Sequence, residues 1–101
     1  MSGLLKFSLE VIASLEGSYA DCEEVEKAYI KLCNEEDLVN IIPESIIGTA
    51  KGYKFLVDKL KELKGYENIK RDRISGGSSS KKKYIIRGVA FIEEDNQDIF
   101  N

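Results

Sequence analysis

Lysine and arginine are the residues in this sequence with the clearest binding chemistry, and they lie close together along the chain. Twelve of them fall between residues 51 and 87, among only four acidic residues, so this segment has a net charge of +8. Residues 1–50 have a net charge of −7. Ammonium and guanidinium groups bind phosphate by charge and by hydrogen bonding. The segment therefore predicts a surface for a phosphate polymer, although the net charge of the whole chain is −3.

Catalysis is not favoured by the residue types. The chain has no histidine, which excludes imidazole acid–base chemistry, and its two cysteines, Cys22 and Cys33, cannot supply the usual zinc ligand sets. The acidic pair Glu35-Glu36 is typical of a solvated helix end. Residues 48–54 lack the spacing of a phosphate-binding loop and place Tyr53 where the lysine of that loop should stand. We therefore predict a protein that is not an enzyme and uses no cofactor or metal.

Size and apolar patterning predict one intracellular domain. A chain of 101 residues with 43% hydrophobic residues can bury one modest core. Its apolar runs are far shorter than the ~20 residues of a membrane span, and Glu10 interrupts what would be the apolar region of a signal peptide. We expect no membrane contact and a location in the cytoplasm, associated with the nucleoid, or in the nucleus. Both cysteines are expected to be reduced and buried.

Helical spacing predicts two helices at the start of the chain. Residues 3–16 form the first, because apolar residues recur on one stripe and Gly17 then favours a stop. That stripe consists of Leu5, Leu9, Ile12 and Leu15. The second helix begins at the acidic N-cap Asp21 and extends to about Asn34. Its charged side is predicted to face solvent and consists of Glu23, Glu24, Glu26, Lys27 and Lys31.

A third helix is predicted from the N-cap Thr49 to Gly65. In the segment before it, Asp37 to Ile42 fit either a short helical turn or a short strand, and Pro43 biases Ile42 away from helix. Its apolar side contains Tyr53, Leu56, Val57, Leu60 and Leu63, of which Leu56 and Leu60 are expected to be the most buried. Its other side carries Lys51, Lys54, Phe55, Asp58 and Lys61. Gly52 indicates either a close approach of backbone or plain tolerance of glycine in a first turn.

Two strands and a flexible tip are predicted for the rest of the basic segment. Residues 69–74 and 82–92 are rich in β-branched and aromatic residues, and five small residues, Gly76 to Ser80, separate them. Arg71 and Arg73 are two apart on one strand and therefore share a face, where they can clamp a phosphate. The acidic stretch 93–101 is predicted to be a frayed tail.

Three helices followed by a β-hairpin is the order of a winged helix-turn-helix domain, so we predict an α+β fold of this class over residues 1–92. In such a domain the third helix enters the major groove of duplex DNA and the hairpin, or wing, contacts the flanking backbone. Phe55 would contact a thymine methyl group. The predicted DNA-binding residues are Lys51, Lys54, Phe55, Lys61, Arg71, Arg73, Lys81, Lys82 and Lys83.

The sequence also resembles the C-terminal winged-helix domain of archaeal origin-recognition initiators over about residues 4–92. The resemblance rests on Val25-x-x-x-Tyr29-x-x-Leu32-Cys33, on Tyr53-x-x-Leu56-x-x-x-Leu60-x-x-Leu63, and on Ile69 with a basic hairpin ending Tyr84-Ile85-Ile86. It implies that the third helix and the wing contact duplex origin DNA through the lysines, arginines and Phe55 named above. The ATPase domain of that family is absent from this sequence.

We therefore expect non-catalytic binding of double-stranded DNA, as a transcriptional regulator or as a replication or accessory factor. The alternative is a winged helix that serves as a protein-interaction module. In addition, the acidic first half is expected to contact a second copy of the chain or another protein. Leu4, Leu5 and Phe7 either form the apolar contacts there or pack in the core.

Overall fold

A computed structural model describes residues 2–75 and 82–92. The elements are α1 (Gly3–Glu10), β1 (Ile12–Asp21), α2 (Cys22–Glu35), a 3-10 helix (Glu44–Ile46), α3 (Ala50–Lys61), β2 (Lys70–Ser75) and β3 (Lys82–Phe91). The strands form one antiparallel sheet in the order β1-β3-β2. The described chain is thus an α+β fold of three helices and a small sheet. The prediction of a two-stranded hairpin is wrong in strand count. The predicted tip and tail lie outside the described residues.

The predicted first helix is wrong in its second half, which is strand β1. Helix α1 ends at Glu10, and Ile12 to Ser14 pair with Phe91 to Val89 of β3. The local sequence contains the β-branched pair Val11-Ile12, which favours a strand once a partner strand is available. The partner lies almost eighty residues further along the chain, so this long-range pairing decides the conformation.

Helix α1 also buries a different face from the one predicted. Phe7 is fully buried and Leu4 nearly so, whereas Leu5 and Leu9 are 38% and 60% exposed. The ring of Phe7 packs against Tyr29 of α2 in an edge-to-face contact, with the ring centroids 5.6 Å apart. The predicted apolar stripe includes Ile12 and Leu15, which belong to β1. Their inclusion placed the predicted buried face on the wrong side of α1.

A wide bulge interrupts the pairing of β1 with β3. Ser14 lies opposite Val89 and Tyr19 lies opposite Arg87, so residues 15–18 of β1 face Gly88 alone. Gly17 and Gly88 both have positive φ angles, +89° and +91°, which side-chain-bearing residues rarely adopt. The glycine predicted to stop a helix therefore shapes a strand.

Helix α2 and the cysteines agree with the sequence analysis. The Asp21 carboxylate accepts a hydrogen bond from the Glu23 backbone N–H at 2.7 Å and caps α2, as predicted. Cys22 and Cys33 are free and buried. Burial raises the pKa of the Cys22 thiol to about 12, so this thiol stays protonated and unreactive near neutral pH.

Helix α3 begins and packs as predicted. Thr49 is its N-cap, with its hydroxyl oxygen accepting from the Gly52 backbone N–H at 3.3 Å. Leu56 and Leu60 are 1% and 0% exposed, which confirms their predicted burial. Residues 38–42 are neither helix nor strand, so neither alternative predicted for Asp37 to Ile42 is found, and the short 3-10 helix begins only after Pro43.

The hairpin of β2 and β3 has two distinct faces, because adjacent residues of a strand point to opposite sides. Arg73 pairs with Tyr84 and Arg71 pairs with the buried Ile86, and these four residues define the helix face, which turns toward the core. The opposite side, the outer face, carries Asp72, Lys83, Ile85 and Arg87. No helix within the described residues is long and apolar enough to span a membrane.

Candidate nucleic-acid interface

Three of the predicted lysines share one exposed stripe on α3. Lys51, Lys54 and Lys61 are exposed and stand with Asp58 at intervals of three and four residues, which is one side of a helix. Lys54 forms an ion pair with Asp58, with Nζ and Oδ2 2.9 Å apart. Lys51 and Lys61 form no ion pair with any described residue. Two unpaired ammonium groups therefore remain available for an external anion.

Phe55 does not stand in this stripe as a free apolar contact. Its ring is partly buried and packs against the core, and Lys59 Nζ lies 5.6 Å from the ring centroid. Phe55 is therefore less exposed than expected, and its contact with a thymine methyl group stays a prediction. Helical spacing places residue 55 between the buried side and the exposed side of α3, and the core takes up the large apolar ring.

Two arginines and two tyrosines form a cluster beside α3. The guanidinium carbons of Arg71 and Arg73 lie 5.2 and 5.7 Å from the centroid of the Tyr84 ring. Tyr53 of α3 contacts the same ring, with centroids 5.8 Å apart, and so links the helix to the hairpin. Arg71, Arg73 and Tyr84 line a cleft of about 150 Å³ together with Asp72. The predicted sharing of a face by the two arginines is confirmed.

The charge of this arginine–tyrosine cluster is not neutralised within the described residues. Neither Arg71 nor Arg73 forms a salt bridge there, although Asp72 lies between them in sequence. Asp72 instead accepts a hydrogen bond from Arg87 at 2.6 Å on the outer face. This bond, followed by the bond from the Arg73 backbone N–H, holds the pKa of the Asp72 carboxyl below its usual value. Two guanidinium groups over one ring thus offer their hydrogen-bonding edges to an anion.

Lys81, Lys82 and Lys83 are not brought together with the other candidates. Lys83 is on the outer face, where its Nζ lies 3.1 Å from Oδ2 of Asp21, and this ion pair raises the pKa of Lys83. Lys81 lies outside the described residues, and of Lys82 only its backbone in β3 is described. Alternation along β3 therefore separates Lys83 from the cluster.

Gly52 does allow a close approach of backbone, but the approaching backbone belongs to the protein itself. A Cβ atom at residue 52 would clash with the carbonyl oxygen of Ile46 and lie 2.9 Å from Oε2 of Glu26. Glu26, which the sequence analysis placed on a solvated face, is only 2% exposed. Its Oε1 accepts a hydrogen bond from the Gly48 backbone N–H at 2.8 Å. The predicted solvation of Glu26 is therefore wrong.

The two tyrosines of the site were not predicted as site residues. The sequence places Tyr53 on the apolar side of the third helix and Tyr84 in the returning strand. In the structure each packs at the edge of the core and belongs to the cluster. Burial is the main cause that raises the pKa of Tyr53. The register of the hairpin places Arg73 opposite Tyr84. The length of the tip does not fix that register, so this pair could not be predicted from the sequence.

The apolar contacts predicted for a second copy of the chain are only partly available. Leu4 and Phe7 are buried in the core, so they cannot form an interface. Leu5 and Leu9 are exposed on α1, and Leu15 and Tyr19 are exposed on β1. Of the three predicted residues only Leu5 remains available for a protein contact, together with these other exposed side chains.

Comparison with known proteins finds no matching family model, and no curated protein or solved structure is significantly similar to the chain. The class of protein is therefore defined by its own fold and surface. It is a small α+β protein in which one exposed helical stripe and the helix face of a hairpin carry unneutralised positive charge. We call this set, Lys51, Lys54, Lys61, Arg71 and Arg73, the basic surface.

Proposed function

We propose that this chain is a winged-helix protein that binds double-stranded DNA without catalysis, as a transcriptional regulator or as a replication or accessory factor. Helix α3 occupies the major groove, and the base of the hairpin contacts the adjoining phosphate backbone. The observation that carries this proposal is the basic surface, in which α3 presents a stripe of exposed lysines and the hairpin that Tyr53 links to α3 presents Arg71 and Arg73 over Tyr84.

The topology supports the proposal. Helices α2 and α3 are consecutive, and the β2–β3 hairpin follows α3 directly. The additional strand β1 pairs with β3, while β2 forms the other edge of the sheet. Strand β1 therefore extends the sheet without separating β2 from α3. A winged-helix arrangement is compatible with this topology.

The dimensions of α3 suit a DNA groove. Twelve residues at ~1.5 Å per residue give a helix of ~18 Å, and the major groove is ~12 Å wide and admits a helix. Lys51 and Lys61 stand at the two ends of the exposed stripe, so they can contact phosphates on the two sides of the groove. With Phe55 partly buried, the stripe offers charged groups more than base-edge contacts. We therefore expect the affinity of α3 for DNA to depend little on the DNA sequence.

A paired set of double variants tests this role for α3. Lys51→Ala with Lys61→Ala is expected to weaken binding to a DNA duplex about tenfold and to lower the salt slope by roughly two, at ~0.9 per phosphate contact. The matched control is Lys27→Ala with Lys31→Ala on α2, where both lysines already form ion pairs with glutamates of the same helix. Fluorescence anisotropy with one labelled duplex measures both. Equal weakening by the two double variants would mean that only net charge matters and that α3 has no special role.

The second candidate function is protein interaction, and the exposed apolar side chains favour it. Leu9, Leu15 and Tyr19 are each more than half exposed, on α1 and β1. These elements do not contribute to the basic surface, so a second copy of the chain or another protein could bind there while DNA is bound. In that case the contact would accompany DNA binding rather than replace it.

A further inference from the structure

Among the described residues, Glu26 has the one buried side-chain polar atom that lacks a hydrogen-bond partner. Its Oε1 accepts from the Gly48 backbone N–H at 2.8 Å, but its Oε2 is buried without a hydrogen-bond partner among the described residues. A buried carboxylate oxygen without a donor is unfavourable, because the charge has lost its water and gained nothing in return. Such an arrangement calls for a physical explanation.

The position of Glu26 connects three parts of the fold. Its side chain extends from α2, bonds the backbone just before α3 at Gly48, and lies against the first turn of α3 at Gly52. An atom added at Gly52 would meet both Oε2 of Glu26 and the carbonyl oxygen of Ile46, so these two oxygens border the same small volume. The Ile46 oxygen accepts from the Thr49 backbone N–H at 3.1 Å and from the Thr49 hydroxyl at 2.7 Å, whereas Oε2 of Glu26 has no donor among the described residues.

We propose that Glu26 is a positioning residue for α3, whose buried and protonated carboxyl group ties α2 to the first turn of α3 and so sets the angle at which the basic surface meets DNA. The inference rests on the proposed DNA function. Protonation removes the charge from this buried carboxyl group, whose Oε2 has no donor among the described residues. Ionisation restores the cost of a buried charge and favours entry of water between α2 and α3.

The charged groups around Glu26 agree with this description. Burial is the main reason that the pKa of Glu26 is raised, and Glu23 on the same helix raises it further, while the bond from Gly48 lowers it. Across the junction, Tyr53 of α3 is the titratable group that faces it, and Cys22 of α2 lies on the same side. Both of these are neutral near pH 7. Arg71 of β2 supplies positive charge beside this group, since it lowers the pKa of Cys22.

The sign of the pH dependence follows from a raised pKa. The neutral form is favoured in the folded protein, so the contribution of Glu26 is fully present below the ordinary carboxyl value of 4.5 and is lost as pH rises through its folded-state pKa. Glu26→Gln keeps a neutral group of the same shape. The variant should therefore behave at every pH as the wild-type protein behaves at low pH.

The first experiment uses no DNA. Amide hydrogen exchange of residues 50–54 is measured from about pH 5 to about pH 8 in the wild-type protein, in Glu26→Gln and in Glu23→Gln, and is expressed as protection relative to intrinsic exchange rates. We expect protection in the wild-type protein to decrease severalfold relative to Glu26→Gln as pH rises, because only the wild-type side chain can ionise. Glu23→Gln, an exposed neighbour, should retain most of the wild-type pH dependence. An identical pH dependence in Glu26→Gln and wild type would overturn the proposal.

The second experiment connects the junction to DNA. At constant salt, Glu26→Gln should keep the low-pH affinity of the wild-type protein up to about pH 8, where the wild-type protein should bind about three- to tenfold more weakly. Glu26→Met, which leaves the Gly48 N–H without an acceptor, should bind about tenfold more weakly at every pH. Equal affinities of Glu26→Gln and Glu26→Met would show that the hydrogen bond does not position α3. If no protein binds DNA while the exchange result holds, the proposed function fails and the positioning of α3 by Glu26 stands.

Discussion

Replacing Phe7 by alanine is expected to lower the free energy of unfolding by about 3–5 kcal/mol. The ring is fully buried, contacts Tyr29 edge-to-face and joins α1 to α2, so truncation leaves a cavity in the centre of the core. A loss of this size is a large part of the total stability of a domain this small. Urea unfolding followed by circular dichroism measures it, with the slope checked for two-state behaviour.

The matched control is Leu9→Ala on the same helix. Leu9 is 60% exposed, so its truncation should change stability by less than about 0.5 kcal/mol. The comparison tests which face of α1 is buried, independently of the overall stability of the protein. A loss at Leu9 as large as that at Phe7 would restore the apolar stripe inferred from the sequence and would contradict the observed end of α1 at Glu10.

Replacing both Arg71 and Arg73 by alanine is expected to weaken binding to duplex DNA about 10- to 100-fold. Charge-assisted hydrogen bonds contribute ~1.5–3 kcal/mol each, and partial exposure of both side chains to water reduces the effect of the pair below the sum of two such bonds. The effect should be nearly equal for all DNA sequences, because phosphate contacts carry no base information. Arg71→Lys with Arg73→Lys should give an intermediate loss, since lysine keeps the charge but not the planar fork.

The outer face of the same hairpin provides a control with the same change of charge. Lys83→Ala with Arg87→Ala also removes two positive charges, but these side chains pair with Asp21 and Asp72 on the side away from α3. We expect DNA affinity to fall by less than about threefold, consistent with the weak effect of solvent-exposed ion pairs. Anisotropy titrations of both double variants against one duplex give the comparison. A larger loss for the outer-face pair would place DNA on the other side of the sheet.

Local patterns predicted most of the elements of this fold. The caps Asp21 and Thr49 and the apolar spacing of α3 are properties of short stretches of sequence, and the structure has helices where they indicate them. The placement of Arg71 and Arg73 on one face followed from strand alternation alone. In these cases the information that determines the structure lies within a few residues of the feature itself.

The errors concern positions where distant contacts decide. Residues 11–15 fit a helix as an apolar run, but pairing with β3 makes them a strand. Phe55 and Glu26 were assigned to exposed helix faces by charge and spacing, and both are covered by parts of the chain that spacing does not describe. For Glu26 in particular, no local signal marks the glycines at 48 and 52 as its neighbours.

The most direct test of the central claim, that the basic surface binds DNA, is the salt dependence of duplex binding by the wild-type chain. With three to five phosphate contacts at ~0.9 per contact, affinity should fall by roughly 50- to 500-fold between about 50 mM and 200 mM salt. Titration of a labelled duplex of about 20 base pairs at several salt concentrations gives this slope. Absence of binding at about 50 mM salt, or binding with no salt dependence, would contradict the account and would assign the basic surface to a protein partner instead.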